Sequence, residues 1–442
     1  MSPPERTAVL RDAILRQHAD HFGRNAAYRR ATTARGIGPT ITDEDFSRVL
    51  RLTAQTFKSY IELLGTPFPN DRPIQFLEWL DDQLSIPLPR DRFAQFKPSY
   101  RTLAAFLTDI ERIFTDLRFH ILTSSGTSGR ATIMVRDDDA IEKTVESFYL
   151  SFQRMFGMEA EHRTVFIMPK RSRIAMAQMA QFSFRRLGIP EERVTFAIPF
   201  NAEPDQVRIR AGRTFRSGIS GMMERKVWHP FMNWASDNKV TPRAVEATLK
   251  VLRETANSGE KVMVFGGWVH LHAVALALME NGEVLELAPG SVLGTGGGFK
   301  ELYPHGPETI RADLAKTLRI KGGDATPFRD VYGMAEGNWA AMQCDHGNYH
   351  MPPWLYAVTI DLDDHIQTGS DTTGRLAFFD PYGGGDLMPA FFKTADQLRL
   401  LNGATVYNPA CDCACGEVGT YIARDSILRI DLMEEAGCAA QI

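Results

Sequence analysis

Residues 163–168 read RTVFIM, and residues 261–265 read KVMVF. Both are short apolar runs rich in β-branched and aromatic side chains, the composition of a buried strand. Outward from the first run, Ile174–Leu187 carries helical spacing and Val194–Ile198 reads as a further strand. Arg243–Glu254 leads into the second run as a helix, and Val269–Met279 follows it as another. Strand and helix alternate, which predicts an α/β fold: a parallel sheet with covering helices.

The flanks differ in texture. Residues 1–120 read as mostly helical, with Asp43–Leu64 and Ser99–Phe114 showing Leu, Ile and Phe at helical intervals. Pro67–Pro73 and Pro87–Pro89 break that region. Beyond Tyr349, the short runs Ala357–Leu362, Gly374–Phe379 and Thr420–Ala423 are punctuated by Gly, Asp and Pro, as in a small antiparallel β region. The expected organisation is a helical segment 1–120, an α/β segment 121–340 and a β-rich segment 341–442.

Composition sets the broad class. Hydrophobic residues make up 44% of 442 and charged residues 24%, so the chain can build a core and whole-chain disorder is excluded. Fifty basic against 54 acidic residues leave −4, without the footprint of a nucleic-acid binder. The N-terminus is charged and amphipathic, unlike a signal peptide, and no apolar run approaches the ~18 residues of a membrane span. Five cysteines, three of them within Cys411–Cys415, make a poor disulfide framework and fit a reducing, cytoplasmic setting.

Four segments can carry chemistry. Thr123–Thr132 (TSSGTSGRAT) packs glycines and hydroxyls after an apolar stretch, so its N–H and O–H groups can cradle phosphate oxygens. It lacks the GK[ST] of a Walker loop. Gly294–Lys300 (GTGGGFK) follows the apolar run Ser291–Leu293 and permits close approach of a flat ligand to the backbone. Asp330–Glu336 (DVYGMAE) reads as a strand entering a turn that ends in a carboxylate, a hard oxygen ligand suited to Mg²⁺. Phe392–Asp396 (FKTAD) ends in a carboxylate able to accept two hydroxyl hydrogens, as a ribose diol would offer.

Taken in order, SSGTSG, TGGG, YGMAE and KTAD resemble the adenylate-forming (AMP-binding) superfamily over roughly residues 120–430. The pair GGGFK and YGMAE is most similar to the acyl-protein synthetase (LuxE-type) branch, a relative of phenylacetate–CoA ligase. The resemblance implies that fold's large domain and ATP-dependent activation of a carboxylic acid to an acyl-adenylate. The acyl group would then pass to a thiol or amine: CoA, an acyl carrier protein or a partner enzyme. It implies that Ser124, Ser125, Gly126, Thr127, Ser128 and Gly129 hold phosphates and that Gly296, Gly297 and Gly298 hold adenine. Tyr332 belongs to the same nucleotide site, Glu336 to Mg²⁺ and Asp396 to the ribose. Thr127 and Lys300 join Glu336 as catalytic candidates. The segment Phe265–His270, with Trp268 and His270, together with Gly297 would wall the acid, and Lys170, Arg171 and Arg173 would lend a cationic edge.

The sequence departs from that pattern at Ala335 and Ala395, and at Arg130-Ala131-Thr132, where many relatives end in lysine. Its last lysine is Lys393, so the mobile C-terminal domain with a catalytic lysine is expected to be absent and Lys300 or Arg130 to substitute electrostatically. Cys344, His350, Cys413 and Cys415 match cysteine and histidine segments of the relatives and form a soft donor set suited to structural Zn²⁺, with His346 and Cys411 as alternatives. LuxE-type proteins also carry the acyl group on a cysteine near the C-terminus, for which Cys411 and Cys438 are candidates. Two competing readings are a non-catalytic nucleotide-binding scaffold and a zinc-stabilised module that binds a carrier protein.

Overall fold

The computed structural model describes residues 1–124, 132–199, 201–213, 216–299 and 303–430. The chain divides into two compact units: one of residues 1–121, 132–144 and 336–442, the other of 122–131 and 145–335. The helical and β-rich segments read from the flanks thus fall largely in one unit.

In the second unit, five parallel strands form the sheet expected from the apolar runs. Their spatial order is Val194–Ile198, Arg163–Pro169, Val262–Gly266, Val292–Gly296, Phe328–Gly333. In chain order this is second, first, third, fourth, fifth, a doubly wound arrangement that reverses direction between the Arg163 and Val262 strands. Helices Thr241–Ser258, Trp268–Glu280 and Pro307–Thr317 pack Leu249, Leu252, Leu271, Val274, Ile310 and Leu314 against Val165, Ile167, Val264 and Leu293. Parallel strands need such crossovers, so this face of the sheet is covered and its side chains are buried.

One expectation needs correction here. The glycine-rich TGGG segment, which the resemblance implies to be an adenine loop, begins as strand: Gly294–Gly296 is the carboxyl half of the Val292–Gly296 strand, paired with Arg329–Val331. Glycine is required at 294 for packing: a Cβ there would lie 2.6 Å from Phe265 Cδ2 and 2.7 Å from Phe156 Cε1. The turn starts only at Gly297 and Gly298, with φ of 83° and 71°, where glycine carries no Cβ penalty.

The first unit is built on an antiparallel sheet. Its order is Tyr356–Ile360, Asp371–Asp380, Ala390–Leu401, Tyr421–Ile422, Tyr349–His350, Ala340–Gln343. The N-terminal helix Pro3–Arg24 starts with a capping box between Ser2 and Glu5 and a proline in its first turn. Its Leu10 and Ile14, with Tyr28 and Phe46, cover Tyr356, Val358, Phe379 and Phe391 of the sheet.

A second expectation fails in this unit. Asp43–Leu64 is not one helix. It breaks into Phe46–Val49, Thr53–Phe57 and Tyr60–Leu64, with Arg51–Leu52 extended and paired to Phe392–Lys393. The Arg51 guanidinium is buried, lies 5.1 Å from the centroids of Tyr28 and Phe392, and donates to the Pro389 carbonyl at 2.7 Å. A sheet partner and two ring faces outweigh the local helical spacing. Burial also lowers the Arg51 pKa to about 10.

Candidate functional site

Ligands of doubly wound sheets sit outside the carboxyl ends of the strands, where the winding direction changes. In the second unit that place lies beyond Pro169 and Gly266. The segments that follow are Lys170–Arg173 and Gly267–His270, both singled out from sequence. Ser124 belongs to the same edge, because the preceding Thr123 N–H donates to the Arg173 carbonyl at 2.7 Å. Gly297 and Tyr332 lie on it too, since Val331 stands opposite Gly296 in the parallel register.

The individual side chains divide. Trp268 is buried in the core among Phe299, Phe328 and the Arg311 guanidinium, with ring centroids 6.1 and 5.1 Å away and the guanidinium 5.2 Å above its ring. His270 is half-buried in the first turn of the same helix. Lys170 pairs with Glu191 at 2.8 Å and Arg173 stands 3.9 Å from Glu203, so both cations have acidic partners. Ser125, Gly126, Thr127, Ser128, Gly129, Arg130, Lys300 and Cys438 lie outside the described residues.

Glu336 belongs to the first unit and is half-buried. The Thr132 hydroxyl donates to its Oε1 at 2.7 Å, and Arg136 Nη2 donates to its backbone carbonyl at 3.3 Å. The guanidinium of Arg136 is buried, as is the Asp380 carboxylate, whose Oδ1 accepts from the Gly383 and Tyr382 N–H groups at 2.7 and 3.1 Å. Burial lowers Arg136 to about 10 even though Asp380 and Glu336 oppose the shift. It raises Asp380 to about 6 against the pull of those two N–H groups and of Arg136. Asp396 sits within the Ala390–Leu401 strand. Its N–H donates to Thr394 Oγ1 at 3.1 Å, and its Oδ1 lies 3.8 Å from Arg429 Nε.

In sequence Thr132 appeared only as the end of the Thr123–Thr132 segment, and Arg136 and Asp380 did not stand out. The first two lie 204 and 200 positions from Glu336, and no spacing rule connects them. A further polar chain was also missed. Buried His272 hydrogen-bonds Tyr303 Oη at 2.8 Å through Nδ1 and Asp313 Oδ2 at 3.1 Å through Nε2. It joins two crossover helices, and Lys316 followed by His272 holds the Asp313 carboxyl below its ordinary range.

The four predicted sulfur and nitrogen donors do come together in the first unit. Cys344 closes the Ala340–Gln343 strand, and His350 returns on its hairpin partner. Cys413 and Cys415 come from a turn closed by the Gly416 N–H on the Cys413 carbonyl at 3.0 Å. All four ligand atoms lie within 4.8 Å of one another. The Cys344 and Cys413 sulfurs are 3.8 Å apart, and Cys415 Sγ is 3.2 Å from His350 Nε2. A tetrahedron with Zn–S bonds of about 2.3 Å has an S–S edge of about 3.8 Å. Donor chemistry and spacing therefore fit a tetrahedral ion. Asn348 Nδ2 approaches Cys413 Sγ at 3.3 Å, the kind of outer contact that orients a thiolate ligand. His346 and Cys411, the alternative ligands, are not part of the cluster.

No protein-family model and no curated protein matches this chain. Solved structures do. A 2-hydroxyisobutyryl-CoA ligase in complex with 2-HIB-AMP and CoA, in its thioesterification state, superposes with a TM-score of 0.58 over 97% of this chain and 69% of its own, at 14% identity. The same ligase in its postadenylation state with 2-HIB-AMP gives 0.57 over 97% and 68%, also at 14% identity. The fold is that of an adenylate-forming ligase. In its open conformation the ligase still matches at 0.52, over 89% of this chain. At such identities the likeness concerns backbone architecture. Within that architecture, the carboxyl edge described above belongs to the unit holding the parallel sheet. Among the described residues, no helix is long and apolar enough to cross a membrane.

Proposed function

We propose that this chain is an ATP-dependent carboxylate-activating ligase. The carboxylate attacks the α-phosphorus of ATP; the bond to the bridging oxygen breaks, giving acyl-AMP and pyrophosphate. A thiol or amine then attacks the acyl carbon, releasing AMP and a proton. The observation that carries this reading is the match, over nearly the whole chain, to the fold of a ligase solved with an acyl-AMP.

The proposed residue roles rest on the sequence motifs and their chemistry. Ser124 to Gly129 bind the phosphates. Gly297 and Gly298, turning at the end of their strand, let the adenine approach the backbone, with Gly296 and Tyr332 beside them. Asp396 accepts from the ribose hydroxyls. Glu336, oriented by Thr132, holds Mg²⁺, which when bound supplies charge neutralisation on the phosphate oxygens. Lys300 or Arg130 offsets the charge on the carboxylate and α-phosphate as they approach. In-line positioning accounts for much of the rate in such a reaction. The Cys344, His350, Cys413 and Cys415 cluster holds Zn²⁺ as a structural pin between the hairpin and the Cys413–Gly416 turn. CoA, an acyl carrier protein or a partner enzyme's thiol serves as acceptor.

The test is pyrophosphate release from ATP over a panel of carboxylic acids, with purified full-length protein. Release that depends on one class of acid, and that Glu336→Gln abolishes, is the expected result. ATP turnover with no acid dependence, or none at all across short, branched, long-chain and aromatic acids, overturns the proposal.

A further inference from the structure

Residues 218–240 form one helical rod in the second unit. Two α-helical segments, Gly218–Met223 and His229–Ala235, are each followed by a wider π turn, Glu224–Trp228 and Ser236–Val240. The rod is anchored from within. Arg208 donates to both Glu224 oxygens at 3.0 and 2.9 Å, and Gly221, Glu224 and Ser236 are buried.

Its outer face is apolar and open. Ile219, Met223, Val227 and Phe231 recur every fourth residue, with Met222, Trp228 and Trp234 beside them, and all are exposed. Ile219 is 79% exposed, Phe231 53% and Trp234 52%, far above a core side chain. An ideal α-helix would rotate a four-residue repeat off one face; the wider turns, at roughly four residues or more per turn, keep it aligned. The aromatic rings are contiguous, Phe231 lying 6.3 Å from Trp228 and 6.2 Å from Trp234. Contiguous exposed apolar surface of this kind marks an interaction site.

Charge identifies the occupant. Residues 218–240 contain three Arg and Lys, all exposed, against two acidic residues, in a chain whose net charge is −4. One of those two acids, Glu224, is already engaged by Arg208. Exposed Arg225, Lys226 and Lys239 flank the apolar residues, and the Lys239 ammonium stands 6.0 Å from the Trp234 ring centroid. Trp and Phe with Met and Ile on a helix, rimmed by Lys and Arg, is the composition of an interfacial helix that lies in the headgroup layer of anionic lipid. Nucleic acid would use the cations and leave the isoleucine, methionines and valine without a role.

We propose that the outer face of residues 218–240 seats the protein on an anionic membrane surface. Ile219, Val227, Phe231 and Trp234 enter the acyl boundary, and Lys226 and Lys239 meet lipid phosphates. The inference does not depend on the activity proposed above.

The test is co-sedimentation of the full chain with extruded vesicles of phosphatidylcholine alone and of equal parts phosphatidylcholine and phosphatidylglycerol, with sedimentation velocity in the absence of lipid. Expected are pelleting with the anionic vesicles, much weaker pelleting with the neutral ones, and release by high salt. Phe231→Ser with Trp234→Ser should lower partitioning about a hundredfold, roughly tenfold per side chain. Lys226→Glu with Lys239→Glu, which removes no apolar contact, should weaken anionic binding alone and so keeps the test sharp if the first variant misfolds. Absence of pelleting with either vesicle overturns the proposal, as does equal pelleting of the wild type and a folded Phe231→Ser, Trp234→Ser variant. A lipid-free dimer that this variant dissociates, without vesicle binding, assigns the face to a second copy instead.

Discussion

Glu336 takes its orientation from a hydroxyl more than two hundred residues upstream. Thr132 Oγ1 donates to its Oε1 at 2.7 Å, and a hydrogen bond to a charged group contributes roughly 1.5–3 kcal/mol. Thr132→Val should therefore cost about tenfold or more in acid-dependent pyrophosphate release, expressed mainly at limiting Mg·ATP. Glu336→Gln, which removes the charge itself, should cost at least about a hundredfold at saturating ATP. Equal rates in the two variants and the wild type would remove Glu336 from the site. At the metal cluster, the purified protein should contain stoichiometric zinc by mass spectrometry. Cys413→Ser should lose it and melt at a lower temperature, and a chelator should reproduce that fall in wild type. Glu336 and the four donors stand out in sequence as candidates because each ends or lies in a recognisable local pattern. The contacts of Thr132 and Arg136 with Glu336 are not legible, because each is made across some two hundred residues.

Elements show the same division between local pattern and tertiary context. The runs RTVFIM and KVMVF became strands because a parallel sheet buries both faces, so the apolar run is itself the signal. Gly294 carried a misleading signal. Its glycine is needed for the Phe265 and Phe156 rings, not for a turn. Gly294→Val should destabilise the protein by about 1–3 kcal/mol in urea unfolding, since both rings would have to shift. The helix Pro3–Arg24 carries a different prediction. Burial lowers the His21 pKa to about 4, a shift that Asp20 opposes and Arg24 and Arg51 reinforce, and its Nδ1 hydrogen-bonds Ser85 Oγ at 2.7 Å. With the folded pKa below the unfolded value near 6.5, the unfolded state binds the extra proton between pH 6.5 and 4. Stability from this group is complete above pH 6.5 and is lost as pH falls through 4, by about 3 kcal/mol in total. His21→Gln should flatten the fall in unfolding free energy over that window by up to one proton. An unchanged slope would show that His21 protonates without cost.

For the whole molecule, ligand linkage gives the broadest check. ATP and the cognate acid, each near a hundred times its dissociation constant, should raise folded-state stability by several kcal/mol and the melting temperature by a few degrees or more. A non-cognate acid should leave only the ATP contribution. The sequence by itself determined the alternation of buried strands and crossover helices and the antiparallel texture of the C-terminal quarter, and it offered two short cysteine and histidine segments as ligands. These properties are local: an apolar run, a helical interval or a short ligand spacing is complete within a few residues. The tertiary structure alone decided the strand order and hence its switch point, the break at Arg51–Leu52 and the strand state of Gly294–Gly296. It also decided the polar contacts around Glu336 and the outward turn of Phe231 and Trp234. Those depend on which residues meet across long loops, where burial, ring packing and hydrogen bonding outweigh the preferences of any short segment.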